Sequence, residues 1–324
     1  MFVGIDISKL SFDAAILQDN AYQHRNFNNN ADGFSVFLRW VKSFKTPALF
    51  CLEATGIYGL GLAKYLCQQQ QKTIVANPIQ THAFAKMEMS RNKTDKADAK
   101  SIARYAQHLD HQGLCDNALY TLKDADFERI QFLVTRLDQL NKIRTQENNR
   151  MDVSLDKAAV QSVKAMCRFI DKQLLGVQNK IADIVKHNRQ LNEQVELLTS
   201  ISGLGDKTAW AIVAYIGDVS LFDNAKQISS YAGLNPSIEQ SGSSINRSRL
   251  SKIGCARLRK SLYMPALVAV RHNPLMRALY ERLQAKGKPK KVALVAVMRK
   301  LLVLAYGVLK SGKPFDINYQ QQTI

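Results

Sequence analysis

The chain of 324 residues has five cysteines (Cys51, Cys67, Cys115, Cys167, Cys255) but no C-x-x-C pair, and this odd, scattered set excludes a disulfide framework and a thiolate zinc site. All five are expected to be reduced structural thiols. No H-x-x-x-H or H-E-x-x-H spacing occurs among its six histidines, so no histidine metal site is expected. The opening Met1-Phe2-Val3-Gly4-Ile5-Asp6 lacks a basic n-region and reaches a carboxylate too early for a signal peptide. An unbroken membrane-length apolar run is also lacking. The longest, Val292 to Leu309, is split by Arg299-Lys300, which predicts a buried helix, no membrane partner and a cytoplasmic location. Acidic side chains are the scarcer charge: 27 Asp+Glu face 45 Lys+Arg, a net charge of +18. That excess points to a polyanionic partner without distinguishing DNA, RNA and anionic membrane. The length suits two or three domains, and 46% hydrophobic content excludes a disordered tail or a collagen-like fibre.

The excess charge is unevenly placed. Residues 1–110 carry 13 basic and 9 acidic side chains, residues 111–199 carry 13 and 12, and residues 200–324 carry 19 and 6. The last third therefore faces the polyanion, and the first third keeps its carboxylates for another purpose. Periodicity gives the same division, with domains at 1–115, 116–199 and 200–324. In the first, short β-like runs (Phe2 to Asp6, Phe12 to Leu17, His24 to Asn29) precede alternating helical and strand patterns, which predicts an α/β mixed sheet covered by helices. In the second, apolar residues recur at helical spacing from Asp126 to Asn149 and from Val160 to Leu198. Two long amphipathic helices are expected there, as a hairpin serving as spacer or dimerisation arm. The third reads as mainly α-helical. It opens with Gly203-Leu204-Gly205, a helix-hairpin-helix-like turn of the kind that offers backbone N–H groups to phosphate.

Four acidic residues stand out by position. Asp6 and Glu53 each close an apolar strand, where a carboxylate must be solvated, paired or metal-bound. Asp95 and Asp98 open a helix three residues apart, hence on one face, although a helix N-terminus favours acidic residues whatever their role. Converging, the four could hold Mg²⁺ or Mn²⁺ for phosphodiester chemistry. In the last third, Gln240-Ser241-Gly242-Ser243-Ser244 reads as a flexible loop after Pro236. Arg247, Arg249, Lys252, Arg257, Arg259 and Lys260 follow it closely. They are either a cradle for a phosphate attacked by a serine or a basic segment that only positions nucleic acid.

These residues also carry a resemblance. Gly4-Ile5-Asp6-Ile7-Ser8-Lys9, Glu53-Ala54-Thr55-Gly56-Ile57-Tyr58, Asn77-Pro78 and Lys93-Thr94-Asp95-Lys96-Ala97-Asp98-Ala99 closely resemble the acidic motifs of the insertion-sequence-110 family of DEDD transposases, which includes the pilin-gene-inverting type. Ala232-Gly233-Leu234-Asn235-Pro236, Ser241-Gly242, Ser251-Lys252-Ile253-Gly254 and Leu258-Arg259 resemble the family's C-terminal transposase domain, so the likeness spans essentially the whole chain. It implies a RuvC-like (RNase H-like) N-terminal domain in which Asp6, Glu53, Asp95 and Asp98 bind Mg²⁺. It further implies that Ser241, with Ser237, Ser243 and Ser244 nearby, is the nucleophile that forms a phosphoserine bond to DNA. A structured guide RNA and a homo-dimer or tetramer, with the active site drawn from both ends of the chain, are implied as well. One departure is visible: Cys255 stands where many relatives carry a polar residue, commonly Asn. A metal-dependent junction endonuclease without a covalent intermediate, and a non-catalytic nucleic-acid-binding scaffold, are the alternatives.

Overall fold

A computed structural model describes residues 1–54, 56–88, 94–122, 124–153, 156–241 and 245–316. Thr55, Lys93, Gly242, Ser243 and Ser244 of the motifs above lie outside the described residues, and Ser241 and Arg247 are described by backbone alone. The chain forms two compact units, Met1–Leu122 and Lys123–Ile324.

The first unit is built on β1 (Phe2–Ile7), β2 (Ser11–Gln18), β3 (Ala21–Asn28), β4 (Leu49–Glu53) and β5 (Lys72–Ala76), ordered β3-β2-β1-β4-β5. The first three run antiparallel because their connections are short. Ser8 closes the first turn by donating its hydroxyl to the Ser11 carbonyl at 2.8 Å, and Asp19 and Asn20 close the second in left-handed backbone, which this residue pair tolerates. β4 and β5 lie parallel, after crossovers through α1 (Ala31–Lys42) and α2 (Leu60–Gln68). Alternation along the strands then sorts the side chains. Val3, Ile5, Phe12, Phe50 and Leu52 pack with Phe37 of α1 and Leu62 and Leu66 of α2 on one face. Leu49, Cys51 and Ile74 meet Ile102, Tyr105 and Ala106 of α4 (Asp95–His111) on the other. α3 (Pro78–Met87) and α5 (Cys115–Ala118) complete the unit. The mixed sheet covered by helices is the architecture expected from the sequence.

In the second unit, α6 (Ala125–Val153) and α7 (Lys157–His187) form the expected helical hairpin, joined through Ile130, Val134, Leu137 and Leu140 against Ile170, Leu174, Ile181 and Ile184. The pattern from Val160 to Leu198 is two helices rather than one. Asn188 interrupts it in extended backbone, its side-chain oxygen accepting from the Leu191 N–H at 3.1 Å to start α8 (Arg189–Thr199). The apolar stripe resumes after the break with Leu191, Val195 and Leu198, so periodicity alone reads through it. Beyond it come α9 (Asp206–Ile216), α10 (Ala225–Tyr231), the hairpin β6 (Pro236–Ser241) and β7 (Ile245–Leu250), α11 (Ala256–Ser261), α12 (Tyr263–His272), α13 (Pro274–Ala285) and α14 (Lys290–Ser311).

The α8–α9 turn rests tightly on α12. A Cβ on Gly203, whose φ is +108°, would lie 2.7 Å from that of Ala269. By length and composition α14 is apolar enough to cross a membrane, yet its Leu294, Val297, Met298, Leu301, Leu302 and Ala305 are core residues of this unit. Their burial is the role predicted for the Val292 to Leu309 run.

Candidate active site

The first unit gathers the four carboxylates through a close approach of helix to strand. A Cβ on Gly4 would stand 2.1 Å from the Ala99 carbonyl oxygen and 2.2 Å from the Ala103 nitrogen, both backbone atoms of α4. Only glycine at position 4, under a helix face of Ala99, Ala103 and Ala106, lets α4 lie directly on β1. Thr94 fixes where that helix begins, its hydroxyl accepting from the Ala97 N–H at 3.2 Å, so Asp95 and Asp98 fall in the first turn. In the sheet, Ile5 and Leu52 are register partners on parallel strands, which sets Asp6 beside Glu53 on the face that α4 covers. Asp6 reports the result. Its carboxyl is pushed up from 3.8 to about 6, first by burial and then by the negative charges of Asp98, Asp95 and Glu53, with Asp13 adding least. Among the described residues no lysine or arginine forms an ion pair with any of the four.

Two neighbours escaped the sequence reading. Thr81, buried in the first turn of α3, donates its hydroxyl to Glu53 Oε1 at 2.5 Å and so fixes that carboxylate. Its signal was Asn77-Pro78, a helix start that places position 81 one turn along, with Asn77 accepting from the Ile79 N–H at 3.0 Å. Asp13, the cross-strand partner of Asp6, is held by His24 Nε2 at 2.6 Å and by Asn26 Nδ2 at 2.9 Å, and so is oriented by β3. All-oxygen donors of this kind suit a hard divalent cation. Among the described residues no group of three or more His, Cys, Asp or Glu side chains is arranged so that it could hold a metal ion.

The second unit places Ser241 at the end of β6, paired in register with Ile245 of β7. Gln240 and Ser241 therefore end a strand, while Gly242, Ser243 and Ser244 of the expected loop lie outside the described residues. Pro236, Ile238, Glu239 and Gln240 are all exposed, so neither face carries the apolar alternation that betrays a strand. The motifs around the hairpin turn out to be its clamp. Gly233 and Gly254 both adopt positive φ, and a Cβ on Gly254 would sit 2.4 Å from the Tyr231 carbonyl oxygen. The Ser251 N–H donates to the Asn235 carbonyl at 2.9 Å, and Arg259 Nη1 donates to the Ala232 carbonyl at 2.8 Å.

Three of the other predicted cations are also engaged. Arg249 pairs with Glu239 at 2.6 Å, Arg257 donates to Thr135 at 3.1 Å, and Lys260 pairs with Asp138. Lys252 takes a left-handed backbone two residues after β7, where its N–H donates to the Gly233 carbonyl at 3.3 Å. Cys255 occupies the N-cap of α11 and makes no side-chain capping bond, so an Asn at this position would add a cap.

Comparison with known proteins places the chain in a family. Residues 3–159 match a family model described as "Transposase", built on the DEDD transposases of the IS110 type. Residues 195–281 match one described as "Transposase IS116/IS110/IS902 family". The chain is 33% identical over 321 residues to the pilin gene-inverting protein of Moraxella bovis, with 97% of each chain covered, and equally so to that of Moraxella lacunata. It is 25% identical over 209 residues, 56% of each chain, to the transposase for insertion sequence element IS1111A of Coxiella burnetii. With its RuvC-like first unit and a helical second unit, the chain belongs to the IS110 family of transposases, enzymes of DNA transposition and recombination.

Proposed function

We propose that the chain cuts and rejoins DNA by transesterification, using the carboxylates of its first unit and Ser241 of its second on the same phosphodiester. The observation that carries this reading is that burial and the negative charges of Asp98, Asp95 and Glu53 push the Asp6 carboxyl up to about 6, while none of the four is ion-paired among the described residues. These four would hold Mg²⁺, with Mn²⁺ as substitute. When bound, such an ion stabilises charge on the attacking and leaving oxygens of a phosphoryl displacement. Thr81 keeps Glu53 in place, and α4 delivers Asp95 and Asp98 over β1. Ser241 Oγ attacks phosphorus, an O–P bond to serine forms as the bond to a deoxyribose oxygen breaks, and the proton given up by the serine hydroxyl ends on that leaving oxygen, which departs as a hydroxyl. Rejoining reverses the step on another strand, so no external energy source is needed.

The basic last third supports contact with DNA and, in the same reading, with a structured guide RNA that supplies target choice. Half-exposed Phe132, Met166, Phe169 and Leu175 on α6 and α7 support pairing of two or more copies through the helical hairpin.

The test is trapping of a covalent protein–DNA adduct on a suicide substrate. Wild type should form it only with divalent metal, while Ser241→Ala and Asp98→Ala should form none and still bind DNA. Cleavage that survives intact in Ser241→Ala, with no adduct trapped from wild type, establishes the junction-endonuclease alternative. Full recombination by Asp98→Ala leaves only the scaffold.

A further inference from the structure

A cleft of about 340 Å³ opens in the second unit at the root of the β6–β7 hairpin. Its floor is apolar, made by Leu234, Leu250, Val292 and Val295, and its rim carries Arg249, Lys291 and Arg299. The α14 contribution is one helix face: positions 291, 292, 295, 296 and 299 line the cleft, while Leu294, Val297, Met298 and Leu301 turn into the core. Val292 is 52% exposed, so this apolar wall stands open to solvent. Among the described residues no carboxylate lines the cleft, and the acid beside it, Glu239, pairs with Arg249. Asn235, between lining residues Leu234 and Pro236, has a buried side-chain oxygen with no donor among the described residues.

We infer that this cleft takes one unstacked nucleotide of a single strand, base against the apolar floor and phosphate on the cationic rim. The volume is at the small-molecule end of ligand sites, where a single planar ring system fills the space. An apolar floor alone would suit a lipid tail or a peptide side chain. Lys291 and Arg299, the two rim cations outside the Arg249–Glu239 pair, select a ligand that is flat and apolar in one part and anionic in the next, as every nucleotide is. The position fits as well. Ser241 lies five residues along β6 from Pro236, about 17 Å at the rise of a strand, so the cleft can hold a nucleotide of the strand that reaches the hairpin. The inference rests on the family's action on DNA and not on the serine chemistry, and its test reads binding alone.

The full-length protein is titrated into single-stranded DNA and RNA oligonucleotides that carry 2-aminopurine at successive positions. A severalfold rise in fluorescence at one position, in whichever strand type the cleft accepts, is expected, since removal from the base stack relieves quenching. Val295→Phe fills the cleft and should abolish the rise. Val292→Glu, at an exposed site that leaves the core untouched, should abolish it too while reducing overall affinity only slightly. Arg299→Ala should reduce the salt dependence of binding by about 0.7 in log–log slope, one phosphate contact on a single strand. No rise at any position, or the same rise in Val292→Glu as in wild type, overturns the inference. So does a change in oligomeric state of Val292→Glu with its fluorescence response intact, which would make the cleft a protein interface.

Discussion

The two units handle charge in opposite ways. In the first, four carboxylates are brought together at the end of a sheet, none in an ion pair among the described residues, and one of them is forced well above its ordinary protonation range. In the second, where the basic excess lies, the cations nearest the hairpin are largely spent on the chain itself: Arg259 on the Ala232 carbonyl, Lys260 on Asp138, Arg249 on Glu239. The modest charge of the first unit therefore conceals the more strained electrostatics, and the large charge of the second overstates what is free to meet phosphate. Net charge locates a partner, while unspent charge locates chemistry.

The sharpest way to break this comparison is to undo the helix–strand approach that crowds the carboxylates. Gly4→Ala puts a methyl against two backbone atoms that cannot yield, so it should destabilise the first unit by about 3 kcal/mol and abolish recombination. Denaturant unfolding that resolves the two units should show the second unmoved. Arg259→Ala tests the opposite side. If its guanidinium is a clamp, stability falls by about 1.5–3 kcal/mol with the salt dependence of DNA binding unchanged. A lowered salt slope would mean that Arg259 meets phosphate after all. Thr81→Val removes the donor to Glu53 at constant shape and should cost 10–100-fold in metal affinity or turnover, roughly the penalty for losing a residue that orients a ligand, with Thr81→Ser restoring most of it.

Much of this was legible in the sequence, and what escaped did so for identifiable reasons. The strands and α4 were readable because each buries one face and starts on a recognisable cap or turn, and the tetrad because its residues sit at element ends. Asn188 was missed because a break that keeps the apolar stripe in phase leaves periodicity intact. The β6–β7 hairpin was missed because Pro236, Ile238, Glu239 and Gln240 of β6 are all exposed, so no apolar alternation marks the strand. Thr81 acts through a single hydroxyl across a gap of 28 residues, a contact that no local pattern encodes.

The smallest effect is the most direct reading of the crowded charge. Asp6 has a folded-state value of about 6 against an ordinary 3.8, so the folded chain holds this proton more tightly than the unfolded chain does. Below pH 3.8 both states are protonated and the carboxyl costs nothing. Between 3.8 and 6 the unfolded chain loses the proton first, so metal-free stability falls as pH rises, and above 6 the full penalty stands. Asp6→Asn keeps the shape and removes the charge. It should therefore stabilise the metal-free protein above pH 6 by about 1 kcal/mol, a figure held down by the solvent that reaches this half-buried group. The gain should shrink toward zero near pH 4. Thermal unfolding in chelator at pH 4.5, 5.5 and 7 measures it. A variant no more stable than wild type at pH 7 would mean that the four carboxylates do not crowd one another, and the contrast between the units would fall with it.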